Sequence, residues 1–156
     1  MNKKIVIVVS AMNMGGAQRV VSILSDYWAK KGYKVSLITT YTGSKKDHYS
    51  LNKDINLKKI TNNPFFPKIK FLNLVWKLFS LRKILKETKP DIIFSFLTRI
   101  NIATCLATIG LKFPVIICER AWPPFYSLNN SFFWIYRIIF KKAKKVIVQT
   151  NESMIW

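Results

Sequence analysis

Ile5-Val6-Ile7-Val8-Val9 is an unbroken run of β-branched residues between Lys4 and Ser10. A strand of that composition has no polar face to offer water. It must be buried on both sides, as in a parallel sheet covered by helices. The next apolar positions, Val20, Val21, Ile23, Leu24, Tyr27 and Trp28, recur at three-to-four residue spacing and predict an amphipathic helix. Lys30 and Lys31 suit its negative end, and Gly32 suits a left-handed C-cap. Lys34 to Thr40 then reads as a second strand. Strand, loop, helix and strand make a βαβ unit, and the rest of the chain is organised around it.

The loop inside that unit is Ser10-Ala11-Met12-Asn13-Met14-Gly15-Gly16-Ala17-Gln18-Arg19. Adjacent glycines let a backbone approach a ligand closely, and a helix N-terminus presents free N–H groups with partial positive charge. Together they suit a phosphate, a pyrophosphate or a carboxylate. The loop is neither the dinucleotide fingerprint G-x-G-x-x-G nor a Walker A loop, since neither pattern occurs. On these residues alone, a tight connecting turn explains the glycines as well.

Downstream the alternation continues. Tyr41 to Lys53 is polar and turn-rich, and its His48 reads as a solvated surface residue. Ile55 to Ile60 suits a short edge strand; Lys68 to Lys89 suits a helix stopped by Pro90. Asp91 to Leu97 is a fourth strand, and Thr98 is the expected N-cap of a helix closed by Gly110. Pro114 to Cys118 is a fifth strand, followed by a loop at 121–130 containing Trp122. A helix capped by Ser131 runs from Phe132 to about Lys142, then Lys145 to Gln149 is a sixth strand. Thr150-Asn151-Glu152-Ser153 opens a further helix. The expected fold is α/β: one domain over 1–156, with a Rossmann-like, doubly wound parallel sheet of about six strands in the order 3-2-1-4-5-6.

Charge narrows the partners. With 26 Lys+Arg against 7 Asp+Glu the net charge is +19, which calls for a polyanion: an anionic membrane surface, nucleic acid or phosphorylated substrates. No helix-turn-helix, RRM, KH or zinc spacing supports nucleic acid. The helix from Lys68 carries a wide apolar arc, with Phe71, Leu74, Trp76 and Phe79, beside Lys68, Lys70, Lys77 and Lys83. That is the pattern of a helix in a bilayer interface, or of one packed between sheet and neighbour with its lysines solvated. Lys70, Trp76, Lys77 and, on the helix from Phe132, Arg137 are the expected membrane contacts. Cys105 and Cys118 sit in apolar surroundings and read as buried thiols of a reducing compartment. No signal-peptide core and no spanning segment is evident, so a cytoplasmic chain, peripheral on the inner face of a membrane, is expected.

In a doubly wound sheet ligands bind beyond the carboxyl ends of the strands. Glu119-Arg120 emerges there from an apolar strand. Such a pair is costly unless it is matched or used. Arg120 is suited to clamp a phosphate and Glu119 to accept a proton from a hydroxyl; a structural ion pair is the plain alternative.

Several of these segments resemble glycosyltransferase family 4. Met14-Gly15-Gly16-Ala17-Gln18-Arg19-Val20-Val21 is similar to that family's G-G-A-[EQ]-R-V opening. Cys118-Glu119-Arg120-Ala121-Trp122-Pro123 shares the E-R core of the S-E-R-N-D-P segment found in the branch that builds polysaccharides and lipid-linked oligosaccharides, but lacks its N-D. Lys89-Pro90-Asp91-Ile92-Ile93, Ser95-Phe96-Leu97-Thr98 with Asn101, and Val146-Ile147-Val148-Gln149-Thr150-Asn151 also look like that branch. The resemblance implies the N-terminal, acceptor-side half of a GT-B architecture whose second half is missing here. It places Gly15, Gly16 and Arg19 at the donor phosphates, Thr98 and Asn101 on the acceptor side, and Glu119 and Arg120 in catalysis. It implies a retaining transfer from a nucleotide sugar to a lipid-linked or glycan acceptor, with no cofactor and no metal. It further implies a separate C-terminal donor-binding half, without which the chain would be inactive. A basic membrane- or nucleic-acid-binding module without catalysis is the alternative.

Overall fold

The β-branched run forms β1 (Lys4–Val9), in which Ile5 through Val9 are all buried. In chain order follow α1 (Gly16–Lys30), β2 (Lys34–Thr39), β3 (Asn56–Lys59), α2 (Lys70–Thr88), β4 (Ile92–Phe96), α3 (Thr98–Ala107), β5 (Val115–Cys118) and β6 (Lys145–Ile147). This is a computed structural model that describes residues 3–41, 47–65, 68–120, 137–151 and 153. Gly43 and Ser44, the loop at 121–130 with Trp122, the Ser131 cap, residues 132–136 of the expected helix, and Glu152 lie outside the described residues.

The six strands form one parallel sheet in the order β3-β2-β1-β4-β5-β6, as expected. β1 pairs with β2 from Lys4↔Lys34 to Val9↔Thr39, and on its other edge with β4 from Ile5↔Ile92 to Val8↔Ser95. Because successive side chains leave opposite faces, β1 feeds two cores. Ile5, Ile7 and Val9 pack with Met12, Val21, Val35 and Leu37 on the α1 side. Val6 and Val8 pack with Leu81, Leu85, Ile93, Ile102 and Ile139 on the side of α2, α3 and a helical turn at 137–140.

The ends of the elements follow local chemistry. α1 closes in a Schellman motif: Gly32 N–H donates to Ala29 O at 2.9 Å and Tyr33 N–H to Trp28 O at 3.1 Å. Gly32 takes φ +83°, as a left-handed cap requires. α2 stops at Thr88 because Pro90 cannot continue it, and Lys89 turns left-handed with φ 49°. Arg82 Nη1 donates to Ala107 O at 2.8 Å and Ile109 O at 2.7 Å, so α2 caps the C-terminus of α3.

Three expectations are corrected. Thr98 is not the N-cap of α3: Leu97 holds that position, with φ 77°, and Thr98 is the first helical residue. Gly110 (φ +74°) lies in the turn beyond the helix, which ends at Ala107 with Thr108 as its cap. β6 is also shorter than the apolar run suggests, stopping at Ile147 with all three residues exposed.

Gly32→Ala puts a Cβ where the left-handed backbone disfavours one. It is expected to cost about 1–2 kcal/mol, lowering the melting temperature by about 2–8 °C in a thermal scan.

Candidate functional site

The strand order reverses between β1 and β4, so the loops after these strands diverge and leave a crevice at their carboxyl ends. One wall is the glycine loop. Met12 is fully buried and anchors it beneath α1. Gly15 is extended, with φ 172° and ψ 158°, and α1 begins at Gly16 with no side-chain cap and no acid in its first turn. Arg19, exposed in that first turn, adds a positive charge where the helix end is already positive. The first turn of α1 therefore supplies no anion to its own positive end. A Cβ built on Gly16 meets nothing within 4 Å, so this residue borders open space.

A strap from the β2–β3 connection holds the loop. His48 N–H donates to Met12 O at 2.8 Å. Tyr49 Oη donates to Gly15 O at 3.1 Å and receives Gly15 N–H at 3.4 Å. A fully extended residue turns its N–H and C=O to the same side, which is why one hydroxyl reaches both. Sequence reasoning missed Tyr49. It lies in a polar stretch with no periodicity to mark it.

The other wall joins the start of α3 to the end of β5. Glu119 is only 7 % exposed. Its Oε1 receives the Thr98 hydroxyl at 2.9 Å and the Arg120 N–H at 3.2 Å; its Oε2 receives Asn101 Nδ2 at 3.3 Å. Asn101 Nδ2 also donates to Cys118 O at 3.4 Å, and Glu119 N–H donates to Ile147 O at 2.9 Å. Among the described residues, Asn101 Oδ1 and Arg120 Nε are buried without a hydrogen-bond partner. Next to this cluster, burial pushes the Cys118 thiol up to about 11; the Arg120 charge opposes the shift and Glu119 adds to it.

The structure thus brings Thr98, Asn101, Glu119 and Arg120 into one hydrogen-bonded group, while Gly15 ends the neighbouring loop and Gly16 and Arg19 lie in the first turn of α1. Lys70, Trp76 and Lys77 lie apart on α2. The first half of that helix exposes Phe71, Leu74, Trp76 and Phe79, with Phe71 at 71 %. Lys77 is half-buried, which lowers its pKa, and its Nζ lies 6.0 Å from the Tyr41 ring. Arg137 is exposed on the helical turn that shares the α2–α3 face of the sheet. No helix among the described residues is long and apolar enough to cross a membrane.

Comparison with known proteins gives a consistent picture. The family model Glycosyltransferase Family 4 matches residues 14–154. The chain is 35% identical over 119 residues to a GalNAc-alpha-(1->4)-GalNAc-alpha-(1->3)-diNAcBac-PP-undecaprenol alpha-1,4-N-acetyl-D-galactosaminyltransferase of Campylobacter jejuni subsp. jejuni, covering 76% of this chain and 32% of the relative. It is 26% identical to an uncharacterized glycosyltransferase of Haemophilus influenzae, covering 90% of this chain and 36% of that one. The chain therefore spans about a third of the length of these relatives. In fold it is similar to the sucrose-phosphate synthase of Thermosynechococcus elongatus, with TM-score 0.72 and 13% identity over 99% of this chain and 44% of that one.

Burial also raises the Cys105 thiol to about 11. At pH 8 both thiols are expected to alkylate at least about a hundredfold more slowly in the native chain than in denaturant, as mass spectrometry would show. The native state holds these protons more tightly than the unfolded chain. Their stabilising contribution is therefore full below about pH 9 and is lost as pH rises through about 11.

Proposed function

The chain belongs to glycosyltransferase family 4, and from that premise we propose that it forms the acceptor-side part of an enzyme that moves a sugar from a nucleotide-sugar donor to a lipid-linked glycan. The observation that carries this reading is the open end of α1 at Gly16, facing the crevice opposite the Thr98–Asn101–Glu119–Arg120 group. The leaving group of such a transfer is a nucleoside diphosphate. Its developing charge is met by the free N–H groups at the start of α1 and by Arg19. The reading assigns no step to a metal or cofactor. Glu119 and Arg120 orient the acceptor, with Thr98 and Asn101 behind them. A polyprenyl-diphosphate carrier is favoured because the Campylobacter relative is named for a PP-undecaprenol-linked acceptor. On this reading most of the donor site belongs to a C-terminal half, and the 156 residues by themselves transfer little sugar.

A lipid-linked acceptor resides at a membrane, and the net charge of +19 fits an anionic one. Aromatic and leucine side chains exposed on the first half of α2 supply the apolar part, and Lys70, Lys77 and Arg137 the electrostatic part. These features support a chain that is peripheral on the inner face of a membrane.

Two measurements test the reading. A Cβ at Gly16 meets no atom within 4 Å, so Gly16→Ala should keep its melting temperature and is the control for Gly16→Val. In the enzyme that contains this chain, transfer of labelled sugar to a polyprenyl-diphosphate glycan should fall at least about tenfold for Val. Unchanged transfer would remove the glycine loop from the site. In flotation assays at matched salt, the chain should prefer anionic vesicles to neutral ones and to duplex DNA. Lys70→Ala and Lys77→Ala should each weaken vesicle binding about fivefold, the equivalent of about 1 kcal/mol. A preference for DNA would support the nucleic-acid alternative instead.

A further inference from the structure

We propose that Glu119 is a positioning residue: its buried carboxylate ties the first turn of α3 to the end of β5 and so aims Arg120 into the crevice. This deepens the reading above and rests on it for the identity of the substrates. It departs from the sequence expectation in denying Glu119 the role of proton acceptor.

A general base must reach the proton it takes. The Glu119 oxygens instead face protein donors: the Thr98 hydroxyl and Arg120 N–H on one, the Asn101 amide on the other. Its side chain is closed off from solvent. What it does for α3 is plain from the helix itself. α3 has no side-chain cap and no acid in its first turn, so its positive end lacks a local counter-charge. Glu119 supplies one from another element. It does so across Leu97, a non-glycine residue in the left-handed region that only its surroundings can hold there.

The same contacts fix the chain around Arg120. Cys118 O is held by Asn101, Glu119 N–H by Ile147 O, and Arg120 N–H by Glu119 itself. The guanidinium therefore leaves a rigid point. Its buried Nε has no hydrogen-bond partner among the described residues, so Arg120 keeps donor capacity, whereas the acceptor oxygens of Glu119 are taken up by protein donors. The ligand chemistry that matches is an anionic or hydroxyl oxygen that accepts from a guanidinium.

Asn101 supplies the means of testing this. Its Oδ1 has no partner among the described residues. In Glu119→Gln the Asn101 amide can turn over, giving up its 3.4 Å bond to Cys118 O, so that Oδ1 accepts the new NH2 while the glutamine oxygen still accepts Thr98. In Glu119→Ala nothing replaces the carboxylate. On this chain, amide hydrogen exchange across 97–102 should accelerate at least about tenfold in Glu119→Ala, and Gln should restore it to within about threefold. In the enzyme that contains the chain, Glu119→Ala should lose about a hundredfold in sugar transfer with a raised acceptor KM. Gln should recover at least about a tenth of wild-type transfer, with the acid limb of the pH profile in place. The proposal is overturned if Gln restores exchange but transfers no faster than Ala, or if Ala leaves exchange unchanged. If the wild-type enzyme transfers no sugar, the functional reading fails, while the exchange comparison still decides whether Glu119 anchors α3.

Discussion

β1 is hydrogen-bonded along both edges and covered on both faces, and this double enclosure sets the terms for everything around it. A strand so placed tolerates no polar side chain over Ile5 to Val9 and no loose end. The loop that leaves it at Ser10 starts from one of the most rigid points in the molecule. Precision at Gly15 and Gly16 is therefore inherited from the strand, with the Tyr49 strap adding a second point of attachment.

The two helices that open onto the crevice solve the same electrostatic problem differently. α3 has its positive end met inside the fold by Glu119, which the Thr98 hydroxyl and the Asn101 amide hold in place. α1 has no acid in its first turn and carries Arg19 there, with open space in front of Gly16. Within a single cleft, then, one helix end is met by a carboxylate from another element, while its neighbour has no acid in its own first turn. Membership of glycosyltransferase family 4 is the ground on which a phosphorylated leaving group is proposed for the open end of α1.

Much of this was legible in the chain. The β-branched run, the helical spacing after it, Gly32 and Pro90 each act through local backbone chemistry, and each appears where that chemistry places it. The strand order followed from alternation and handedness. What stayed hidden depends on residues distant in sequence. Tyr49 meets Gly15 across the β2–β3 connection, and Thr98 turns from capping its own helix to serving Glu119. Leu97 takes the cap position in a left-handed conformation that no propensity would assign to leucine. Glu119-Arg120 stood out as a charged pair after an apolar strand. Whether its carboxylate faced substrate or protein was decided by Asn101 and Thr98, on another element.

β6 carries a different lesson. Its three residues are all exposed, and among the described residues nothing pairs with its outer edge. A strand edge left without a partner is a template for edge-to-edge aggregation, and the described part of this edge bears Val146 and Ile147. Lys144 and Lys145 stand at its start as gatekeepers, and a net charge of +19 keeps molecules apart through mutual repulsion. That protection has a range of about 10 Å at 0.1 M salt and shrinks as salt rises. Ionic strength thus sets how closely two such edges can approach, with dilute buffer holding molecules apart and concentrated salt letting them meet.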